Sequence, residues 1–143
     1  MRFMVMIKGN PDSEAGVMPS EEQLAAMSAY NEELVKAGVM LDGDGLHPSV
    51  NGAIVKFSGG RPTVIDGPFT EAKELVAGYW VLEVKSREEA IEWVKRVPSD
   101  PAEGEYEIEI RRMYEGEELG EGYTEDIRER TEAMQAKVRE QQG

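Results

Sequence analysis

The chain has 143 residues, 40% apolar and 31% charged, which suits one folded domain with its own core and not a disordered chain. Its 29 acidic and 16 basic side chains give a formal net charge of −13, a surface that repels phosphate backbones and anionic lipid, so neither nucleic acid nor membrane is expected as a partner. The absence of cysteine removes disulfides, thiol nucleophiles and Cys-ligated metals, and the first apolar stretch stops at Lys8, too short for a signal or a span; a soluble cytoplasmic protein is expected.

Phe3–Ile7 is apolar at every position, the pattern of a strand buried on both faces. Ser20-Glu21-Glu22-Gln23 reads as a capping box that opens a helix. Leu24, Met27, Leu34 and Val35 form its predicted inward stripe, and Gly38 its C-terminal stop. Ala53–Phe57 is partly alternating and is taken as the second main strand. Ser58-Gly59-Gly60-Arg61-Pro62 should then turn the chain into a short extra strand, Thr63–Ile65. Tyr79–Leu82, continued by Val84, is a second doubly apolar strand. Ser86-Arg87-Glu88-Glu89 reads as another capping box, starting a helix with Ala90, Ile91, Val94 and Val97 inward and Pro98 as its stop. Tyr106, Ile108 and Ile110 alternate with charged residues, the signature of a strand with one wet face.

The order β-α-β-(β)-β-α-β predicts an α+β, ferredoxin-like antiparallel sheet with two helices on one face. Its first and third main strands should be central, and Ala53–Phe57 and the strand around Ile108 should be edges. Two helices cover one face only, yet the central strands are apolar on both. A homodimer through the sheet face is the expected cover, with the C-terminal segment Glu117 to Gly143 as the alternative. Residues 1–113 read as the domain and 114–143 as an acidic tail, helical from about Thr124. Only Tyr123, Ile127, Met134 and Val138 offer that tail a thin apolar seam, so a mostly solvated helix is expected.

Asp66-Gly67-Pro68-Phe69, followed by Thr70-Glu71-Ala72-Lys73-Glu74 and Gly78-Tyr79-Trp80, closely resembles the signature of the DGPF-domain branch of the YCII-related family. Tyr30-Asn31-Glu32-Glu33-Leu34, Ala37-Gly38-Val39 and Gly45-Leu46-His47-Pro48-Ser49 are similar to that family too. The resemblance covers roughly Met1 to Met113. It implies a dimeric α/β-barrel arrangement of the ferredoxin-like fold and a largely uncharacterised activity. Relatives have been proposed as enzymes using a His–Asp pair in a cleft. Genes of the branch often lie beside those of extracytoplasmic-function sigma factors, which implies a regulatory setting.

His47 is the only histidine, on a loop leading into a strand, where catalytic groups are commonly carried. Were Asp66 beside it, the carboxylate would orient the imidazole as a general base or acid. Asp66 also has a purely conformational reading: its side chain accepts backbone N–H groups of the turn, Gly67 supplies unusual φ, Pro68 fixes φ and Phe69 plugs the core. Tyr30, Glu71 and Lys73 are the candidate substrate contacts, Tyr30 through its hydroxyl and Lys73 as a cation for an anionic substrate, with packing and solvated pairing as the alternatives. Asp42-Gly43-Asp44-Gly45 lacks the remaining ligands of a calcium loop, one histidine cannot furnish an ordinary zinc site, and no phosphate-cradling glycine motif is present. No cofactor or metal is expected. Three readings follow: a small cofactor-independent enzyme acting on a small organic molecule by His47/Asp66 proton transfer, a non-catalytic dimeric module that binds a ligand or regulates, or a motif that only maintains the fold and dimer.

Overall fold

The computed structural model describes residues 1–100 and 104–143. In chain order the elements are β1 (Arg2–Lys8), α1 (Pro11–Glu14), α2 (Glu21–Lys36), β2 (Met40–Gly45) and β3 (Ala53–Ser58). Then come β4 (Arg61–Asp66), β5 (Val76–Glu83), α3 (Arg87–Lys95), β6 (Ile108–Arg112) and α4 (Glu125–Gln142). Contacts divide the chain into two compact units, Met1–Arg112 and Met113–Gly143. Among the described residues no helix is long and apolar enough to cross a membrane.

The first unit is built on an antiparallel sheet of order β2-β5-β1-β6, the ferredoxin-like arrangement with β1 and β5 at its centre. Phe3 and Val5 of β1, Trp80 and Leu82 of β5, Tyr30 and Leu34 of α2 and Ala90 of α3 meet in one core with Val39, Val84 and Val97. Both long helices therefore cover the same sheet face. Val5, Leu34 and Leu82 are almost wholly excluded from water, and each such side chain contributes about 1.5–3 kcal/mol. Trp80 is pinned twice: its Nε1–H donates to Asn31 Oδ1 at 2.9 Å, and Tyr30 stacks edge-on at 5.6 Å. By strand alternation, Met4, Met6, Tyr79 and Val81 occupy the opposite face and are half-buried.

The helix termini follow local chemistry. Ser20 and Gln23 cap α2 reciprocally, Gln23 N–H to Ser20 Oγ and Ser20 N–H to Gln23 Oε1. Gly38, at φ +72°, closes α2: its N–H donates to the Val35 carbonyl and Val39 N–H to that of Leu34, while Val39 joins Leu34 in the core. At α3 half the expected box forms. Ser86 Oγ accepts from Glu89 N–H, but the Glu89 carboxylate accepts from Lys85 N–H instead of Ser86. The buried stripe of α2 also differs from the one expected: Tyr30 and Leu34 are buried and Met27 packs against the core, whereas Leu24 and Val35 are 57% and 64% exposed.

The main correction concerns the edge beyond β5. Met40–Gly45 is the second strand of the sheet, not Ala53–Phe57. Its Met-Leu-Asp-Gly-Asp-Gly sequence has no apolar alternation, because one long edge is wet and a glycine is demanded by a neighbour. A Cβ on Gly43 would lie 2.7 Å from Trp80 Cδ1 and 2.9 Å from Met40 Cε. The expected strand at Ala53 instead pairs with β4 in a separate two-stranded ribbon, closed by Gly59 and Gly60 at φ +59° and +79° between Ser58 and Arg61. Two consecutive left-handed residues make the hairpin turn whose twist matches its strands. The short helix α1, capped reciprocally by Asn10 and Ser13, carries no apolar pattern and was not expected.

In the second unit Gly116 packs against the Tyr123 ring, and Thr124 Oγ1 accepts from Ile127 N–H to cap α4. No residue of α4 is buried.

Candidate functional site

Between β2 and β3 the chain crosses Leu46, His47 and Pro48 and makes one tight helical turn, Ser49–Asn51. Ser49 is the anchor of this crossing and is 9% exposed. Its N–H and Oγ–H donate to the two carboxylate oxygens of Glu14 at 2.9 and 2.5 Å, which ties the loop to α1. The same Oγ accepts from Phe69 N–H at 2.8 Å, which ties it to the turn after β4. Gly67 N–H donates to the Gly52 carbonyl at 3.0 Å. Three chain segments distant in sequence are thus latched at one serine.

The latch explains Asp66-Gly67-Pro68-Phe69 differently from expectation. Gly67 is not needed for a left-handed φ; a Cβ there would lie 1.6 Å from the Ser49 carbonyl oxygen. The peptide bond from Gly67 to Pro68 is cis. The turn's N–H groups go to Ser49 and Gly52, and no hydrogen bond from the turn to the exposed Asp66 carboxylate occurs among the described residues. Phe69 is half-buried, its Cζ 3.8 Å from where a Cβ on Gly52 would stand.

Beside the latch lies a cleft of about 320 Å³, lined among others by His47, Asn51, Phe69, Glu14 and Glu74. Asp66 is not among its lining residues, and no hydrogen bond joins Asp66 to His47. The imidazole's partner is Asn51, whose Nδ2 lies 3.1 Å from His47 Nδ1. An Asn51 N–H that donates to Nδ1 goes with the tautomer that carries its proton on Nε2. Glu14 is committed to Ser49, so Glu74 is the cleft carboxylate with no hydrogen bond or ion pair from its side chain among the described residues. Glu74 sits on the short helical turn Ala72–Glu74 and was not singled out by sequence; only its place next to the motif hinted at it. No three His, Asp or Glu side chains among the described residues converge as a metal site would need.

The other expected contacts lie elsewhere. Tyr30 belongs to the core, 4% exposed, its hydroxyl donating to the Trp93 carbonyl at 2.7 Å, and burial pushes its pKa up to about 12. That hydroxyl is spent on packing two helices together. Glu71 is exposed and precedes the Ala72–Glu74 turn without capping it. Lys73 faces a different, open basin of about 860 Å³ shared with Lys8, Tyr106, Glu107 and Glu109. In that basin Lys8 pairs with Glu109 at 3.3 Å, and Lys8 and Arg111 together hold the Glu109 carboxyl below its usual range.

Comparison with known proteins bears on the first unit. The YCII-related domain matches residues 1–114. An uncharacterized protein of Rhizobium meliloti (strain 1021) is 30% identical over 114 residues, which span 77% of this chain and 92% of that protein. Among solved structures, the chain resembles 5-chloro-2-hydroxyhydroquinone dehydrochlorinase (TftG) from Burkholderia phenoliruptrix AC1100, in complex with 2,5-dihydroxybenzoquinone. The identity is 21% and the TM-score 0.43, over 82% of this chain and 98% of that one. At that distance the likeness carries no chemistry across. With the YCII-related domain matching residues 1–114 and a relative 30% identical over 92% of its length, this chain belongs to the YCII-related family.

Proposed function

We propose that this protein is a small-molecule-binding module whose ligand sits in the His47 cleft, with His47 Nε2–H donating to the ligand and Glu74 accepting from it. The observation that carries this reading is Asn51 on Nδ1. A general base acting through Nε2 carries its own proton on Nδ1, where an acceptor such as a carboxylate or an amide oxygen holds it. An amide N–H donating to Nδ1 goes with the opposite tautomer, which presents Nε2–H to a ligand. The Glu14–Ser49–Phe69 latch supports the same reading, since it holds the loop rigid without consuming either binding group.

The module works as a homodimer in this proposal. Met4, Met6, Tyr79 and Val81 form an apolar centre on the open face, with Asp42 and Asp44 paired beside them on one flank and Glu109 and Arg111 on the other. A polar rim around an apolar centre is the ordinary build of a protein–protein contact.

Thermal shift across a set of small neutral polar metabolites tests the cleft. A ligand at a hundred times its Kd stabilises by about 2.7 kcal/mol. That shift should vanish in His47→Ala and Glu74→Gln, with the unliganded melting temperature unchanged. A compound that the protein consumes, at a rate lost in both His47→Ala and Asp66→Asn, would replace the binding reading with the dyad. Sedimentation at micromolar concentration tests the dimer, and a monomer refutes it.

A further inference from the structure

The unit beyond the family domain is the part of the molecule that neither the cleft nor the relatives account for. Its helix α4 has 18 residues and none is buried. Most helical stability in proteins comes from packing an apolar face, and the seam of α4 is exposed. Ile127, Met134 and Val138 are 43%, 61% and 48% exposed. With Thr131 between them they are spaced four, three and four apart, which is the a/d repeat of a coiled coil: Thr131 and Val138 at a, Ile127 and Met134 at d.

The charges obey the same frame. The five acids of α4, Glu125, Asp126, Glu129, Glu132 and Glu140, all fall at positions b, c or f. Positions e and g hold Arg128, Arg130, Gln135, Lys137 and Gln142, with no carboxylate. In a chain of net charge −13 the seam is therefore a strip along which two copies can approach without carboxylate facing carboxylate.

We propose that α4 pairs in parallel with α4 of a second copy. The parallel register sets each g residue against an e residue of the other chain: Arg130 against Gln135 of the partner subunit, and Lys137 against Gln142 of the partner subunit, where a side-chain amide can accept from the cation. The antiparallel register instead brings Arg130 near Lys137 of the partner subunit, a like-charge clash. The helix is short, about 27 Å at 1.5 Å per residue, and its seam from Ile127 to Val138 about 17 Å, too little for a stable dimer alone. The pairing thus rests on the sheet-face dimer proposed above, which raises the effective concentration of one tail for the other.

A chain without cysteine makes the test direct. Met134→Cys and Ile127→Cys, both at d, are oxidised at low micromolar concentration with copper phenanthroline, beside Ala136→Cys at f as control. Parallel pairing predicts disulfide-linked dimers from both d variants, at least about tenfold faster than from the control. Equal rates at d and f overturn the proposal, as does crosslinking that appears only when Ile127→Cys is mixed with Val138→Cys, the antiparallel outcome. Sedimentation of the unaltered chain separates the two readings. A dimer without d-position crosslinks refutes the tail pairing and spares the sheet face; a monomer refutes the sheet-face dimer and, with it, the tail pairing that rests on it.

Discussion

Replacing Gly67 with alanine should damage the fold far more than replacing its neighbour Asp66. The added Cβ would stand 1.6 Å from the Ser49 carbonyl oxygen, and ordinary contact begins at 3.4 Å, so the turn and the Ser49 loop must part by about 2 Å. Two hydrogen bonds cross that contact, Gly67 N–H to Gly52 and Phe69 N–H to Ser49, and the two from Ser49 to Glu14 hold the other side of the loop that must move. A neutral bond is worth about 1 kcal/mol and one to a charged group about 1.5–3. Losing part of this set gives an expected cost of about 3–4 kcal/mol, or about 10 °C in melting temperature for a domain of this size. Asp66→Asn touches an exposed side chain outside the latch and should stay within about 0.5 kcal/mol. Urea titration and thermal melts followed by circular dichroism measure both. A Gly67→Ala protein that melts within about 2 °C of the parent, or an Asp66→Asn protein that falls as far, would refute the latch.

Ser49→Ala should cost about 2–3 kcal/mol in urea titration, because Glu14 Oε2 and Phe69 N–H both lose the hydroxyl, while Ser49 N–H still donates to Glu14 Oε1. Gly43→Ala should cost about 1–3 kcal/mol and change tryptophan fluorescence, since Trp80, held by Asn31 and Tyr30, has little room to yield. Tyr30 gives a pH signature: its pKa is raised in the fold from 10.0 to about 12, so its contribution to stability is complete below about pH 10 and is lost as pH rises toward 12. Urea midpoints between pH 8 and 12 should fall accordingly, and Tyr30→Phe should remove that component while lowering stability at neutral pH by about 1 kcal/mol.

The parts of this molecule legible in sequence are those whose side chains are selected by burial or by local capping. Phe3–Ile7 and Tyr79–Leu82 are apolar because both faces of a central strand are kept from water, and they are the two central strands. Ser20, Gln23 and Gly38 end α2 through bonds no more than five residues long, which a linear reading can see. The edge strand Met40–Gly45 escaped notice because its identity comes from the neighbour it pairs with: Asp42 and Asp44 face water, and Gly43 is a glycine only because Trp80 lies over it. His47 was legible as the only histidine, but the latch that holds its loop escaped for the same reason. Glu14, Ser49 and Phe69 are separated by 35 and 20 residues, and the Asp-Gly-Pro-Phe turn carries its glycine for a carbonyl oxygen that only the folded chain brings there. Residue choice records local and solvent forces along the chain; contacts between distant segments leave a glycine or a serine whose reason is visible only from the segment it meets.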